Sequence, residues 1–331
     1  MVRFGIAGFG LHAVRRLMPG FALAKSCVVT ALSRRDQEKA RAAAAEYKIP
    51  HIFRTTEELS RSPEVDAVLV TTPNSCHLAD VLAAVSAGKP VLCEKPMGMD
   101  APECRKMIEA ANKAGVELGV AQVFRFEEST AYFRERIKHG EVGRLLFARA
   151  EFSYPGRGHA RTWINDRSIA GGGPIADVGV HCIDALRYIL DDEPERVGAI
   201  ASTDADSGDV ESAAILSLEF KRSGLATVLV STRGQYRTQL EFIGENGFIR
   251  ADDALNVERP IKIETWRDGK LAGEEMVSNH LAYARQVDAF AAAVEKRETF
   301  PVSGAEGLSN QLALDAAYRS ISSGKIEETG L

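Results

Sequence analysis

The chain has 331 residues, of which 45% are hydrophobic and 26% are charged, and its formal net charge at pH 7 is −5. This length predicts two domains with a sizeable core, and the composition is that of an ordinary globular protein. The negative charge excludes a basic surface for nucleic acid or acidic membranes, and no apolar run has membrane-spanning length.

The cysteines and the first residues bear on the compartment. There are five cysteines, an odd number, and no C-x-x-C pair. An apolar strand pattern begins at residue 2, which leaves no room for a signal peptide. We therefore expect a cytoplasmic protein with thiols that serve as small packing residues, and no metal site.

The chain opens with a predicted strand, a glycine turn and a predicted helix. The strand pattern is followed by Gly8-x-Gly10-x-x-Ala13 and by apolar residues at helical spacing. Gly8 would permit the tight turn, Gly10 would let a pyrophosphate approach the backbone, and Ala13 would keep the helix close to the strand. The alternative is an ordinary strand–helix turn. Dinucleotide binding is favoured because the motif follows a predicted strand, opens a predicted helix and lies at the start of the chain.

The next segments repeat the strand–helix pattern up to about residue 123. Strands are predicted at 27–32, 65–72, 90–96 and 116–123, and helices at 36–47, 101–114 and from Asn74 or Ser75, as the cap, to Ala87. Continuous apolar strands in repeated β-α units predict a doubly wound parallel sheet with helices on both faces.

The second half of the chain has a different pattern. A helix at 129–139 and a strand at 145–152 precede a polar, glycine-rich loop at 154–174 and a helix at 175–190. Successive strands follow at 197–203, 212–220, 225–232, 237–243, 247–250 and 261–267, and then helices at 281–296 and 304–323. This predicts an α/β protein with a dinucleotide-binding domain at 1–123 and an α+β domain at 124–331.

The end of the second strand indicates which dinucleotide binds. An acidic residue there would bind the ribose of NAD, whereas an arginine accommodates the 2′-phosphate of NADP. This chain has Ser33-Arg34-Arg35, and Asp36 comes later, at the start of the next helix. We therefore predict NADP, with NAD possible, and Ser33 and Arg34 as contacts. The alternative is that the arginines are solvated turn residues.

Two further segments end strands where ligands bind in open sheets. The first is Thr72-Pro73-Asn74, followed by His77, in which Pro73 and Asn74 would form a turn that covers the edge of the cofactor. The alternative, which spacing alone favours, is an Asx turn that only caps the next helix. In Glu94-Lys95-Pro96, the ammonium could polarise a carbonyl or hydroxyl oxygen. The alternative there is a surface ion pair.

Asp177 and His181 follow three glycines, Gly171, Gly172 and Gly173. Their spacing of four places both side chains on one helix face, and the glycines would let another backbone or a ligand approach. The histidine could carry a proton and the carboxylate could orient it. The alternatives are a helix cap with a core histidine, or a metal pair, for which no further ligand has suitable spacing.

Taken together, these motifs resemble the glucose–fructose oxidoreductase / inositol dehydrogenase / rhizopine-catabolism family. The resemblance covers nearly the whole chain in order: the glycine fingerprint, Cys93-Glu94-Lys95-Pro96, the segment from Gly171 to His181, and Pro301-Val302-Ser303-Gly304. It implies a Rossmann domain followed by a domain with a large, mostly antiparallel sheet. One face of that sheet would form a dimer interface, giving a homodimer or homotetramer.

The resemblance also implies site residues. Lys95, Asp177 and His181 would be catalytic, and Trp163 would lie near the nicotinamide or its ribose. The predicted cofactor contacts as a whole are Gly8, Phe9, Gly10, Leu11, His12, Ser33, Arg34, Thr72, Pro73, Asn74, His77, Glu94, Lys95 and Trp163.

Two functions from different classes remain at this point. The first is NADP(H)-dependent oxidoreduction of a hydroxyl or carbonyl of a sugar, cyclitol or related polyol. The second is a regulatory protein that senses NADP(H) without turnover. A sensor need not keep Lys95, Asp177 and His181 together, so the sequence favours the enzyme. If His181 is not the base, Lys95 or a tyrosine such as Tyr154 is the next candidate.

Overall fold

The computed structural model describes residues 1–156, 158 and 161–331. The chain divides into two compact units: Met1–Val123 with Tyr283–Leu308, and Phe124–Ala282 with Ser309–Leu331. The predicted second domain, 124–331, differs from this division because the segment 283–308 packs within the first unit.

The first unit alternates strands and helices up to residue 123. Its strands are β1 Val2–Ala7, β2 Cys27–Ser33, β3 His51–Phe53, β4 Ala67–Val70, β5 Val91–Glu94 and β6 Leu118–Ala121. Its helices are α1 Met18–Leu23, which continues a π-helical turn at Ala13–Leu17, α2 Gln37–Tyr47, α3 Thr56–Ser60, α4 His77–Ser86 and α5 Ala101–Ala114. Strand β3 and helix α3 were not predicted from the sequence, because both are too short to show a periodicity.

The strands of the first unit form one parallel sheet in the order β3-β2-β1-β4-β5-β6. This order reverses between β1 and β4, which is the position where doubly wound sheets bind dinucleotides. The strand residues of β4, β5 and β6 are all buried, as expected for a sheet covered on both faces. The predicted doubly wound fold is confirmed.

Helix α9, Ala282–Val294, falls within the second domain that the sequence predicts at 124–331. In the structure, however, its Phe290 packs on Phe4 of β1 and on Phe300, with ring centroids 6.1 and 5.1 Å apart. Gly119 of β6 makes room for Phe300, because a Cβ there would lie 2.6 Å from that ring. Shape complementarity with the first sheet, which periodicity cannot show, decides where this helix packs.

The second unit begins with α6 Glu128–Lys138 and contains the large sheet. Its further elements are β7 Leu145–Ser153, α7 Arg167–Ala170, α8 Val180–Leu190, β8 Pro194–Ser202, β9 Ala213–Phe220, β10 Gly224–Ser231, β11 Arg237–Gly244, β12 Gly247–Asp252, β13 Ile261–Arg267 and β14 Lys270–Val277. The chain ends with α10 Gly304–Ser323 and β15 Glu327–Glu328. The sequence analysis missed α7, β14 and β15. β14 is polar and almost wholly exposed, so it lacks the alternation of a half-buried strand.

The strand order of this sheet is β14-β13-β12-β11-β7-β10-β9-β8-β15. The neighbours β7 and β10 run parallel, and the other pairs run antiparallel. The predicted large, mostly antiparallel sheet is therefore confirmed.

The two faces of this sheet differ from the sequence expectation. The sequence alternates apolar residues on β9 at Ala214, Leu216, Leu218 and Phe220, and on β10 at Leu225, Thr227 and Leu229, and this alternation predicts that they share one apolar face. The register pairs Leu216 with Val228 and Glu219 with Leu225. In a pair of neighbouring strands the opposed residues share a face, so Leu225 lies on the opposite face from Leu216. That opposite face is solvent-exposed, and Ile215 and Leu225 are both more than half exposed.

Buried ionic contacts anchor α8 in the second unit. Arg125 donates hydrogen bonds from Nε and Nη2 to the buried Asp184 carboxylate, with Nη2 2.7 Å from Oδ1. Asn310 also donates to that carboxylate at 2.7 Å, and Arg187 donates to Asn310. Asp184 and Arg187 are on α8, so the helix is held from two sides.

No helix within the described residues is both long and apolar enough to cross a membrane.

Candidate active site

The turn after β1 can be formed only by glycine at position 8. Gly8 has a φ of +80°, and a Cβ there would lie 2.6 Å from Thr72 Cγ2 and 2.8 Å from the Thr72 backbone nitrogen. The N–H groups of Gly8 and Phe9 both donate to the Ser33 carbonyl, at 3.1 and 3.0 Å. The turn is therefore hydrogen-bonded to the end of β2 and packed against Thr72, which follows β4.

Gly10 is different, because the fold does not require glycine there. A Cβ at this position would meet, among the described residues, only the Gly8 carbonyl oxygen at an ordinary 3.6 Å, and φ is not left-handed. The space in front of Gly10 is thus open, as a closely approaching pyrophosphate requires. Leu11 and His12 are half-buried beside it, whereas the Phe9 ring is buried against Tyr47, so Phe9 can offer only its backbone.

Ser33 and Arg34 follow β2. Ser33 is buried, and the half-buried Arg34 forms no side-chain hydrogen bond with any residue that the structure describes. Asp36 accepts the Lys39 N–H at 3.1 Å and caps α2, at the predicted start of this helix. That backbone hydrogen bond, with the Lys39 ammonium, lowers the pKa of Asp36. The nearest carboxylate along the chain is therefore engaged as a helix cap.

The turn after β4 carries Thr72, Pro73, Asn74 and His77. The prediction that Asn74 or Ser75 caps the next helix is wrong, because 74–76 form a 3₁₀ turn and α4 begins at His77 without a side-chain cap. The buried His77 lies 2.9 Å from the Thr72 carbonyl and 3.0 Å from the Pro96 carbonyl. It thus connects the turns after β4 and β5, and a direct contact of His77 with the cofactor stays a prediction.

The end of β5 places a buried carboxylate beside Lys95. Glu94 Oε1 lies 2.8 Å from His12 Nε2, and Glu94 Oε2 accepts the Lys95 N–H at 3.3 Å. Burial acts to raise the pKa of Glu94, but the His12 and Lys95 side chains outweigh it and hold the pKa below its ordinary value. Lys95 itself is half-buried and precedes a cis peptide bond to Pro96.

In the second unit, the glycines before Asp177 are required by packing. A Cβ at Gly172 would lie 1.7 Å from the Tyr318 hydroxyl, and a Cβ at Gly173 would lie 2.0 Å from the Glu211 carbonyl oxygen. Glu211 also accepts the Ile175 N–H at 3.0 Å and the Tyr318 hydroxyl at 3.0 Å. Of the two predicted alternatives, another backbone or a ligand, the structure shows protein atoms at both positions: the Tyr318 side chain at Gly172 and the Glu211 backbone at Gly173.

Asp177 lies in a π-helical turn, Ile175–Gly179, that leads into α8. Its Oδ2 accepts the Tyr154 hydroxyl at 2.6 Å, and Arg161 Nη2 lies 3.4 Å from the same oxygen. Burial raises the pKa of Tyr154, and the Asp177 charge raises it further, so the phenol is a neutral donor at neutral pH. Two donors therefore fix the orientation of the Asp177 carboxylate.

His181 lies one turn later, on α8. Its ring is 4.6 Å from that of Phe124 and 6.2 Å from that of Phe152, and Tyr236 packs edge-on against Phe152. The imidazole is thus buried between aromatic rings, while Asp177 lies beside a phenol and a guanidinium. Trp163 is half-buried on a 3₁₀ turn at Thr162–Asn165, with the Arg161 guanidinium 6.0 Å from its ring centroid.

Arg161 and the contact of Tyr154 with Asp177 were not foreseen from the sequence. Tyr154 directly follows β7, and a polar residue at the end of a strand is a usable signal. Arg161 lies in the glycine-rich loop, where no pattern distinguishes one arginine from another. Three residues of that loop, 157, 159 and 160, lie outside the described residues.

Comparison with known proteins agrees with both units. Residues 2–122 match the oxidoreductase family with an NAD-binding Rossmann fold, and residues 130–250 match the GFO/IDH/MocA C-terminal domain. The chain belongs to the GFO/IDH/MocA family of oxidoreductases. The family predicted from the motifs is confirmed, and the first unit is an NAD(P)-binding Rossmann domain.

Several named relatives match this chain over nearly the whole length of both proteins. It is 30% identical to a 1,5-anhydro-D-fructose reductase of Ensifer adhaerens, covering 100% of both chains. It is 31% identical to a D-xylose 1-dehydrogenase (NADP(+)) of Haloferax volcanii, covering 98% of this chain and 99% of the relative. The structure of aldose-aldose oxidoreductase from Caulobacter crescentus, complexed with glycerol, matches with a TM-score of 0.91, 26% identity and 99% coverage of both chains.

The open space at Gly10 can be tested with Gly10→Ala. We expect NADPH affinity to fall at least about tenfold, because inserting a methyl group into a filled contact typically costs 1–3 kcal/mol. The free energy of unfolding should change by less than about 0.5 kcal/mol, as at sites without special contacts. Fluorescence titration and urea unfolding measure the two effects.

Two glycines provide controls for this test. Gly8→Ala should destabilise the protein itself, because its φ of +80° and its contacts with Thr72 leave no room for a methyl group. Gly273→Ala, where a Cβ meets no described atom within 4 Å, should change neither quantity. Equal NADPH affinities for wild type and Gly10→Ala would contradict a pyrophosphate at this turn.

Proposed function

We propose that this protein catalyses NADP(H)-dependent oxidation of a hydroxyl, or reduction of the matching carbonyl, on a sugar, cyclitol or related polyol. The observation that carries the proposal is the pair of charged clusters: Lys95 and Glu94 in the dinucleotide-binding unit, and Asp177 with Tyr154 and Arg161 beside His181. The relatives named as a xylose dehydrogenase and an anhydrofructose reductase support this substrate class.

Each of the three proposed catalytic residues has a distinct role. The nicotinamide, when bound, supplies or accepts the hydride. During oxidation His181 takes the hydroxyl proton, and Asp177 stabilises the charge that then forms on the imidazole. The Lys95 ammonium stabilises the developing alkoxide oxygen. During reduction the same groups act in the reverse direction, so His181 donates the proton.

The aromatic rings beside His181 suit a cyclic polyol. Phe124 and Phe152 contact the imidazole, and Tyr236 extends this aromatic surface. A sugar ring has apolar C–H groups on its faces and hydroxyl groups on its rim, so it can contact aromatic rings while its hydroxyls reach polar groups. The donors around Asp177 match the hydroxyl groups of such a ring.

The preference for NADP over NAD rests on Arg34. Its guanidinium is half-buried, forms no hydrogen bond with the described residues, and can fork onto a 2′-phosphate. The carboxylate that a ribose-binding site would need is absent at Ser33, and Asp36 caps α2. Both observations favour the phosphorylated dinucleotide.

Arg34→Ala should weaken NADPH binding much more than NADH binding. A hydrogen bond to a charged group contributes on the order of 1.5–3 kcal/mol, which is roughly 10- to 100-fold in Kd. Fluorescence titration with both dinucleotides measures this difference. Arg35→Ala is the matched control, since this neighbouring side chain is exposed, and it should have a smaller effect. Equal affinity of the wild type for NADPH and NADH would contradict the proposed preference for NADP over NAD.

His181→Ala and Lys95→Ala should each lower kcat at least about a hundredfold, the typical contribution of a positioned proton-transfer group. His181→Ala should leave NADPH affinity nearly unchanged, because the histidine acts on the substrate oxygen. The double variant should lose less than the product of the two single losses if both groups act on one oxygen. Turnover is measured after a screen of sugars and polyols with NADP⁺ and NADPH.

Two controls accompany this measurement. His181→Gln keeps a polar side chain between the aromatic rings if the alanine variant unfolds, and His139→Ala replaces an exposed histidine and should retain full activity. Near-wild-type turnover by His181→Ala would show that another group is the base, with Lys95 or Tyr154 the next candidate. A wild type that binds NADPH but turns over no substrate in the screen would favour the alternative function, a regulatory protein that senses NADP(H) without turnover.

We also propose a homodimer or a dimer of dimers that forms through the exposed face of the large sheet. This face carries Ile200 and Ile215, which are cross-strand partners and are 79% and 55% exposed. Phe147 and Leu225 form a second exposed pair on β7 and β10. Apolar rows of this kind need a cover in water, and a second copy related by a two-fold axis presents the same rows.

Ile215→Arg should convert the proposed oligomer to monomers, because it places a charge in the apolar row that the second copy would cover. Light scattering at micromolar concentration measures the mass of wild type and variant. Leu23→Arg, which changes an exposed leucine of the first unit, should leave the mass unchanged. A monomeric wild type would contradict this proposal without affecting the proposed activity.

A further inference from the structure

We propose that His12 is a positioning residue that keeps the Glu94 carboxylate ionised and oriented beside Lys95. It would thus act on the nicotinamide half of the dinucleotide through Glu94 rather than by contacting the phosphates itself. This inference rests on the proposed dinucleotide-dependent function. It extends that function, because a histidine within a phosphate-binding turn would otherwise be taken for a phosphate ligand.

The contact between the two side chains is direct and largely buried. His12 Nε2 lies 2.8 Å from Glu94 Oε1, and the Glu94 side chain is only 11% exposed, whereas that of His12 is 30% exposed. The other carboxylate oxygen accepts the backbone N–H of Lys95. Through one carboxylate, His12 is therefore connected to the residue that carries the proposed catalytic ammonium.

A buried carboxylate needs such a partner. Moving an ionised carboxylate out of water is costly unless it is paired and hydrogen-bonded. Two side chains stabilise a negative charge on Glu94: the ammonium of Lys95, its neighbour in the chain, and the His12 ring, whose Nε2 lies 2.8 Å from Oε1. Burial raises the pKa of the nearby Cys93 thiol and lowers the pKa of the nearby His77 imidazole, so neither of these groups carries a charge that could replace His12. Loss of His12 would therefore leave Lys95 as the remaining stabilising side chain.

The imidazole is itself fixed by a distant part of the chain. Tyr283, at the start of α9, packs edge-on against the His12 ring with centroids 6.2 Å apart. Tyr283 approaches closely because Gly20 faces it, where a Cβ would lie 2.5 Å from Tyr283 Cβ. With Nε2 directed at Glu94 and the ring packed on Tyr283, the His12 side chain has a defined place in the fold of the first unit.

The topology places Glu94 on the nicotinamide side. Dinucleotides lie across the point where the strand order reverses, with the adenosine ribose at the end of β2. Because β5 lies on the other side of β1 from β2, its carboxyl end belongs to the second mononucleotide half. An ionised carboxylate there accepts hydrogen bonds from ribose hydroxyl groups but cannot bind a phosphate, which has the same charge.

The experiment is a double-mutant cycle on the full-length protein, with NADPH affinity measured by fluorescence titration. The variants are His12→Phe, which keeps a ring against Tyr283, Glu94→Gln, and the double variant. We expect each single variant to weaken NADPH binding about tenfold or more, and the double variant to be no weaker than the worse single one. His12→Gln, which keeps a donor for Glu94, should recover most of the affinity, and His139→Phe should change nothing.

A second probe separates the inference from a direct phosphate contact. The probe is 2′-phosphoadenosine 5′-diphosphate, which has the pyrophosphate but lacks the nicotinamide ribose. It should bind wild type and His12→Phe equally. A loss of this probe's affinity, or additive losses in the cycle, would overturn the inference in favour of a phosphate contact.

The remaining outcomes are also decisive. NADPH affinity in His12→Phe equal to that of wild type would overturn the inference while leaving the proposed function intact. A wild type that binds no NADPH would overturn both. If His12→Phe fails to fold, the comparison of His12→Gln with Glu94→Gln decides, because the inference requires His12→Gln to bind NADPH more tightly than Glu94→Gln does.

Discussion

The first unit depends on one steric constraint at the end of β1. A side chain at Gly8 would collide with Thr72, and the N–H groups of Gly8 and Phe9 are both directed at the Ser33 carbonyl. The ends of β1, β2 and β4 therefore meet in one turn that only glycine can form. Because a dinucleotide spans these strand ends, the constraint that closes the turn also creates the surface in front of Gly10.

The second unit has a comparable constraint, made by the Tyr318 side chain and by both the backbone and the side chain of Glu211. Tyr318 packs on Gly172 and Glu211 packs on Gly173. The Glu211 carboxylate also accepts hydrogen bonds from the Ile175 N–H and from the Tyr318 hydroxyl. This contact fixes where the helical segment with Asp177 and His181 begins. A proton-transfer group contributes to catalysis only when its position is defined to a fraction of an ångström. Packing remote from the chemistry therefore supports the proposed activity.

The charged groups of the two units are arranged in the same way. Glu94 is accompanied by His12 and Lys95, and Asp177 by Tyr154 and Arg161. In both cases a carboxylate is held by donors so that a neighbouring group, Lys95 or His181, lies in a defined electrostatic environment. Such preorganised charges stabilise a charge that develops during a reaction without rearrangement of the protein.

The sequence by itself determined the fold class, the family, the order of most strands and helices, and the motifs that carry the proposed chemistry. These follow from local properties: apolar periodicity, glycine turns such as Gly8 and helix caps such as Asp36, all of which act within a few residues. Only the tertiary structure decided which partner each motif meets. Glu94 lies 82 residues from His12, and Tyr318 lies 107 residues from Glu211. The placement of 283–308, the packing role of Gly172 and Gly173, and the exposed side of Leu225 likewise depend on long-range packing and strand register, which no local pattern encodes.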